Sequence, residues 1–200
     1  MTYTVIDNFL PVHVTDYLVN RYGDLNRITD LSSYDRWTDL VTQNKTLPEC
    51  YINNIVGKEK FLFLDYVVNA PDSPYSQINP TLFNNSAIAI QKIPTTGWIP
   101  EHWDDCIASL TLFLNKEPIE GGDFVWRDAE GTEHVIQPKF NRAICAVFDK
   151  QLAETGSTKS FFHWTTPVKS EQHRISLQMF IYTDREKNSD TSRAKANKSG

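Results

Sequence analysis

Ile99-Pro100-Glu101-His102-Trp103-Asp104 sets a histidine and a carboxylate two residues apart. On an extended backbone side chains alternate, so His102 and Asp104 point to the same side. One imidazole and one carboxylate facing one pocket make two-thirds of a metal site. The third ligand is expected from a distant strand, and His163 is placed to supply it. Two histidines and one carboxylate on one face of an octahedral ion, with the opposite face open, suit non-haem iron(II).

Bulk properties narrow what surrounds such a site. A chain of 200 residues fits one domain and buries roughly 70% of its unfolded surface without disulfides. A formal net charge of −5 argues against a nucleic-acid or anionic-membrane partner, which calls for a basic protein. The expected partner is a peptide, protein or small-molecule substrate. No apolar run reaches the length of a membrane span, and Met1-Thr2-Tyr3-Thr4 lacks a charged-then-apolar leader. Cys50, Cys106 and Cys145 are odd in number and lack CxxC spacing, which predicts reduced thiols in a cytoplasmic protein.

Upstream of the hexapeptide the pattern is largely helical. Tyr3 to Leu10 reads as a short strand closed by Pro11. Val14, Leu18, Tyr22 and Leu25 then recur at helical spacing. Ser32 to Leu47 is polar and irregular. Glu49 to Val68 reads as a second helical region interrupted at Gly57, with Ile52, Ile55, Val56, Leu62 and Phe63 as buried candidates. Pro71, Pro74 and Pro80 end it in a linking loop. Beyond Leu82 the period switches to two. Strands are expected at Ala87–Ile93, Ile107–Leu114, Asp123–Trp126, His134–Gln137, Arg142–Phe148, Phe161–Trp164 and His173–Tyr182, joined by Gly/Pro/Asp turns. The predicted fold is mainly β with flanking helices: a jelly roll, or the related double-stranded β-helix of cupin-like barrels. One domain is expected over 1–182, helical over 1–81 and a β-barrel over 82–182. Residues 183–200 have almost no apolar side chains and read as a disordered tail.

Further along, Arg174 and Ser176 share one face of the last strand, while Ile175, Leu177 and Met179 share the other. A buried guanidinium needs an anionic partner. A dicarboxylate fits: one end chelates the metal, and the far carboxylate meets the planar fork and the serine hydroxyl. The plainer alternative is that Arg174 closes a strand end and pairs with a surface acid.

These residues, taken together, resemble a known family. His102-Trp-Asp104, Phe113-Leu-Asn-Lys116, Gly121-Gly122, Gln137-Pro-Lys-Phe-Asn-Arg142, His163, Pro167-Val168 and Arg174 look like the prolyl 4-hydroxylase-like group of iron(II)/2-oxoglutarate oxygenases. The flavour is that of the oxygen-sensing prolyl hydroxylases, and the short chain is similar to versions carried by phages. The resemblance spans Ala87 to Tyr182, and Val5-Ile6-Asp7-Asn8-Phe9-Leu10 before a helix is also how such domains often begin. It implies His102, Asp104 and His163 as iron(II) ligands, with 2-oxoglutarate and O2 as cosubstrates. It implies Arg174 as the partner of the far carboxylate, with Ser176 completing an Arg-x-Ser pair. The implied activity is a dioxygenase that hydroxylates a C–H bond, a prolyl residue being the leading analogy. Where the oxygen-sensing enzymes carry a tyrosine, this chain has Phe113, and Ser109 or Thr111 of the same strand parity could compensate. Arg174 also sits further from His163 than is usual, which leaves His173 as a second inward-facing candidate.

Two rival functions remain at this level: a cupin-type metal hydrolase or isomerase, and a non-catalytic ligand-binding barrel. Trp98, Trp103, Trp126 and Trp164 could wall a substrate pocket or simply fill the barrel and its rim. His13 and His134 read as surface or core histidines, Glu101 as a solvated neighbour, and Lys92 as a side chain that reaches the pocket or snorkels outward. Cys106 lies near Asp104 without a base to activate it.

Overall fold

The alternation that begins in the middle of the chain becomes the centre of a seven-stranded antiparallel sheet. The computed structural model describes residues 3–22, 35–37 (backbone only), 50–102, 104, 106–128, 130–148 and 162–182. The readings for Trp103, for 150–159 and 183–200, and for all of 32–47 except 35–37 lie outside these residues.

The elements are β1 (Thr4–Ile6), α1 (Val12–Arg21), β2 (Asp35–Trp37), β3 (Cys50–Ile55), α2 (Gly57–Val68), β4 (Ser86–Ile93), β5 (Ala108–Phe113), β6 (Phe124–Arg127), β7 (Glu133–Ile136), β8 (Ala143–Val147), β9 (His163–Thr165) and β10 (Arg174–Ile181). The larger sheet runs β1-β8-β5-β10-β4-β3-β2, and a smaller one runs β7-β6-β9. The described strand pairs are antiparallel. This is the mainly β, jelly-roll architecture that the strand spacing predicts.

One face of the large sheet is apolar and carries the helices. Ile88 and Ile90 of β4, Leu110 and Leu112 of β5, and Ile175, Leu177, Met179 and Ile181 of β10 are buried against Val14 and Leu18 of α1 and Phe63, Leu64 and Val67 of α2. Each such aliphatic side chain contributes about 1.5–3 kcal/mol relative to exposure. Because strand side chains alternate, this core forces the intervening residues to the other face. Those residues are Gln91, Ser109, Thr111, Arg174, Ser176 and Gln178, and that face looks toward the small sheet.

The first half departs from its expected helical character. Cys50–Ile55 is a strand, hydrogen-bonded to β4 through Tyr51↔Lys92 to Ile55↔Ile88. Ladder pairing to an existing sheet overrides the weak helical pattern there. The break falls at Gly57, with φ +63, and the helix starts at that residue. Ile55 and Phe63 are buried as expected, but Val56 is 72% exposed and Leu62 48%. The larger sheet is therefore not built from residues after Leu82 alone, since β1, β2 and β3 also join it. The proline-rich stretch forms two 3-10 turns, Pro74–Gln77 and Pro80–Asn85. Tyr75 in the first is fully buried, and its hydroxyl donates to the Ser109 carbonyl at 2.5 Å.

The three cysteines are free and buried. Burial pushes the Cys50 and Cys145 thiols up to about 12, so neither is a thiolate nucleophile at neutral pH. No described helix is long and apolar enough to cross a membrane.

Candidate metal centre and anion pocket

His102 and His163 meet because their backbones form one antiparallel β-bridge. His102 N donates to His163 O at 3.0 Å and His163 N donates to His102 O at 2.9 Å. The pairing continues at Thr165, whose N donates to Ile99 O and whose hydroxyl accepts from Ile99 N at 2.7 Å. Residues opposite each other in such a pair project to the same face. The two imidazoles accordingly lie with ring centroids 4.2 Å apart, and Asp104 joins them from two residues beyond His102. One ligand atom from each of the three lies within 4.8 Å of the others.

The donor set fits a metal ion. His102 Nδ1 is 2.7 Å from the Pro100 carbonyl. A carbonyl only accepts, so in the neutral ring Nδ1 carries the proton and Nε2 is a bare lone pair. That Nε2 lies 3.7 Å from Asp104 Oδ1, and His163 Nε2 lies 3.4 Å from Asp104 Oδ2. The His102 lone pair, His163 Nε2 and a buried carboxylate converge, a donor set that can take a cation at its centre. Nitrogen and oxygen donors in this combination suit iron(II), manganese(II) or zinc(II).

A pocket open to solvent adjoins the triad, and the three candidate ligands form part of its lining. Its lining comes from both sheets and the loops beside them: Arg174 and Gln178 of β10, Gln91 of β4, Ser109 and Thr111 of β5, Phe124 of β6, Ile144 of β8, and Ile99 and Tyr3. Arg174 is 1% exposed. Its Nη1 donates to Gln91 Oε1 at a weak 3.3 Å, and its buried Nε has no hydrogen-bond partner. The guanidinium carbon sits 5.0 Å over the Phe113 ring. Burial lowers the Arg174 pKa to about 10, partly offset by Cys50 and Asp123, so the group is a cation at neutral pH. Among the described residues it is a buried charge with one weak hydrogen bond and an aromatic face, and such a group is stabilised by an incoming anion.

The alternatives left open along the chain resolve geometrically. Arg174, not His173, lines the pocket, and among the described residues no carboxylate forms an ion pair with it. Ser109 and Thr111 line the pocket on the strand that carries Phe113. Ser176 does not: it is fully buried and accepts from Gln178 Nε2, a lining residue, at 2.8 Å. Three of the four tryptophans lie among the described residues. Trp126 is buried with Phe113, Phe124 and Ile144 and stacks on His134 at 4.3 Å, Trp164 lies under Arg127, and Trp98 is 37% exposed. None of these three lines the pocket. Glu101 pairs with Arg127 at 3.0 Å, and Lys92 and Cys106 are buried away from the lining.

Gln178, Gln91 and Tyr3 are among the lining residues that were not singled out along the chain. Gln178 shares the parity of Arg174 and Ser176, a signal that was present. Gln91 pairs with Ser176 in register, which required knowing that β4 neighbours β10. Tyr3 had no local signal. Its hydroxyl lies 3.1 Å from His163 Nδ1. Burial first, then the Asp104 carboxylate and Cys106, hold that hydroxyl well above the ordinary phenol range, so it is neutral.

No protein-family model matches the chain, and no curated protein matches it in sequence. Solved structures do. A prolyl-4-hydroxylase of Pseudomonas putida superposes with TM-score 0.63 at 18% identity, covering 90% of this chain and 92% of that one. A prolyl hydroxylase of Trichoplax adhaerens, in complex with a peptide fragment of the hypoxia inducible factor oxygen degradation domain, gives 0.64 at 18% identity, covering 94% and 86%. A viral collagen prolyl hydroxylase from Paramecium Bursaria Chlorella virus-1, in its 2OG complex, gives 0.53 at 19% identity, covering 90% and 96%. The chain thus has the fold shared by prolyl hydroxylases and 2OG-Fe(II) oxygenases.

Proposed function

We propose that the protein is an iron(II)- and 2-oxoglutarate-dependent dioxygenase that hydroxylates a C–H bond, with a prolyl residue of a peptide as the substrate class its fold favours. The observation that carries this reading is the pairing, in one pocket, of a two-histidine, one-carboxylate cluster with a buried cation that makes no ion pair among the described residues. A metal hydrolase or isomerase has use for the cluster but none for Arg174. A non-catalytic barrel has use for neither.

In this reading His102, Asp104 and His163 hold the metal, and Arg174 takes the far carboxylate of 2-oxoglutarate. When bound, iron(II) and 2-oxoglutarate supply the oxidation: dioxygen delivers one oxygen atom to the substrate C–H bond and one to succinate, and carbon dioxide is released. The chain's own residues orient and insulate. Arg174 offers its unpartnered Nε and its fork to the carboxylate, with Phe113 behind it fixing the guanidinium plane. The Thr111 hydroxyl donates to Gln178 Oε1 at 2.9 Å, and Gln178 Nε2 donates to Ser176 and, at 3.3 Å, to Gln91. This network holds the pocket floor rigid. With Phe113 in place of a tyrosine, the Ser109 hydroxyl and the Gln91 amide are donors in the lining whose protons this network does not use. Ile99, Phe124 and Ile144 give the pocket apolar walls that limit water near the metal. The fold neighbour solved with a peptide supports a peptide substrate, and the chemistry of the pocket is compatible with one entering from its open side.

The test uses the anaerobic Mn(II) form. Wild type should bind Mn(II), and 2-oxoglutarate should then raise its melting temperature further, a gain absent without metal. His163→Ala and Asp104→Ala should each lose Mn(II) binding. With Fe(II), ascorbate and proline-containing peptides in air, peptide gaining one oxygen should appear in step with succinate. Failure of metal-loaded wild type to bind 2-oxoglutarate at millimolar concentration would overturn the oxygenase reading. Turnover of 2-oxoglutarate without peptide oxidation would overturn only the substrate class.

A further inference from the structure

We infer that Tyr3 is a positioning residue for the metal centre: its hydroxyl holds the His163 ring so that Nε2 faces the ion, which makes the N-terminal strand part of the site. This rests on the metal-site reading above and adds to it a residue outside the ligand set.

The two histidines solve the same problem differently. A neutral imidazole has one donor and one acceptor nitrogen, so a ring that ligates through Nε2 must carry its proton on Nδ1 and find an acceptor for it. His102 uses a backbone carbonyl, Pro100 O at 2.7 Å. The His163 ring lies instead against aromatic surface. Phe124 stacks on it at 5.2 Å with an interplanar angle of 20°, and Trp126 is its cross-strand partner. The Tyr3 hydroxyl reaches into that surface and offers Nδ1 a polar partner at 3.1 Å.

A hydroxyl suits this place for a second reason, since it both donates and accepts. Without metal, Tyr3 can donate to Nδ1 while His163 Nε2–H points to Asp104 Oδ2, 3.4 Å away. With metal, the same hydroxyl accepts from Nδ1–H. Both tautomers are satisfied without moving a heavy atom, so the ring stays aimed whether or not the ion is present. Phenylalanine would serve neither.

The position of Tyr3 is itself secured from several directions. Its ring meets Phe124 edge-on at 5.1 Å and Trp126 at 5.4 Å. The strand that follows pairs with β8 through Thr4↔Cys145, Val5↔Ile144 and Ile6↔Ala143. Just beyond, Asp7 pairs with Lys139 at 2.7 Å and Arg142 at 2.6 Å, and the Asn141 side chain bridges Leu10 N and O.

The test compares wild type with Tyr3→Phe and with Val5→Gly, which loosens the same strand at a half-exposed position while keeping the hydroxyl. Mn(II) affinity is read by EPR of the free ion. Tyr3→Phe should lose on the order of 10–100-fold in affinity, whereas Val5→Gly should lose far less. The second readout needs no activity: in the Zn(II)-loaded, 15N-histidine-labelled protein, wild type should show a slowly exchanging His163 Nδ1–H resonance, and Tyr3→Phe should not. Tyr3→Phe binding Mn(II) as tightly as wild type, or keeping that resonance, would overturn the inference and leave the metal site standing. Equal losses in Tyr3→Phe and Val5→Gly would overturn it too, since strand docking and not the hydroxyl would then matter. Wild type that binds no Mn(II) would overturn the metal-site reading and this inference with it.

Discussion

Arg174 concentrates the chemistry of the pocket in one side chain. It is fully buried, keeps a proton at neutral pH despite burial, and leaves its Nε without a partner. Truncating one member of a buried charge pair costs about 2–5 kcal/mol. Arg174→Ala should therefore weaken 2-oxoglutarate binding to the Mn(II) form by roughly thirty-fold or more, while Mn(II) binding itself changes little. Arg174→Lys should recover only part of the loss, because an ammonium cannot make two parallel contacts. Calorimetric titration of the three proteins checks both statements. Unchanged 2-oxoglutarate affinity in Arg174→Ala would shift the anchor to the Ser109 hydroxyl and the Gln91 amide. The arginine was legible along the chain from its parity alone, since Ile175 and Leu177 had to face the core. The amide network beneath it was only half legible, because Gln91 reaches it across a strand pairing.

At the scale of elements, the motifs that carried the family resemblance converge on the strand end at Arg174. Asn115 accepts from Ile175 N and donates to His173 O, both at 2.7 Å, and so holds the backbone on either side of the arginine. Asn141, at φ 58, exchanges backbone bonds with Phe113 O and Phe9 N, locking β5 to the N-terminal segment. Gly121 bridges to Val168. Gly122 adopts φ +66, and a Cβ there would lie 2.9 Å from Arg174 Cδ and 3.2 Å from Val168 Cγ2. Gly122→Ala should thus combine backbone strain with crowding of the arginine, costing about 1–3 kcal/mol and weakening 2-oxoglutarate binding as well. Gly131, at φ +86 but facing open space, is the control: Gly131→Ala should cost only the strain, with ligand binding intact. Urea denaturation of both variants separates the two terms, and equal costs would mean that the contact with Arg174 carries no weight. The glycine pair was visible in the sequence as a turn. Its second task, giving the arginine room, appears only when β10 is seen beside it.

For the molecule as a whole, the N-terminal segment is tied by charge to the turn before β8. The Asp7 carboxyl lies well below the usual carboxylate range, chiefly through its hydrogen bonds with Arg142 and Lys139. A carboxyl depressed on folding adds stability that is present above its unfolded pKa and is lost as pH falls toward the folded one. Asp7 is more than a third exposed, so solvent and salt screening keep the effect small. Wild type should melt somewhat higher than Asp7→Asn near neutral pH, and the gap should narrow below about pH 4. A gap that stays constant with pH would assign the difference to something other than this ion cluster. By itself the sequence determined what depends on local spacing: the switch from helical to strand period, the parity that puts Arg174 opposite the core, and the two-residue step from His102 to Asp104. Those features follow from backbone geometry, which acts between near neighbours. Only the tertiary structure decided what depends on distant segments meeting. It turned Cys50–Ile55 into a strand because β4 offered a ladder, drew Trp126 and Trp164 away from the pocket, hydrogen-bonded Gln178 to Ser176, and brought Tyr3 to His163 across 160 residues of chain. Such contacts are set by which strands are neighbours, and no local pattern encodes that order.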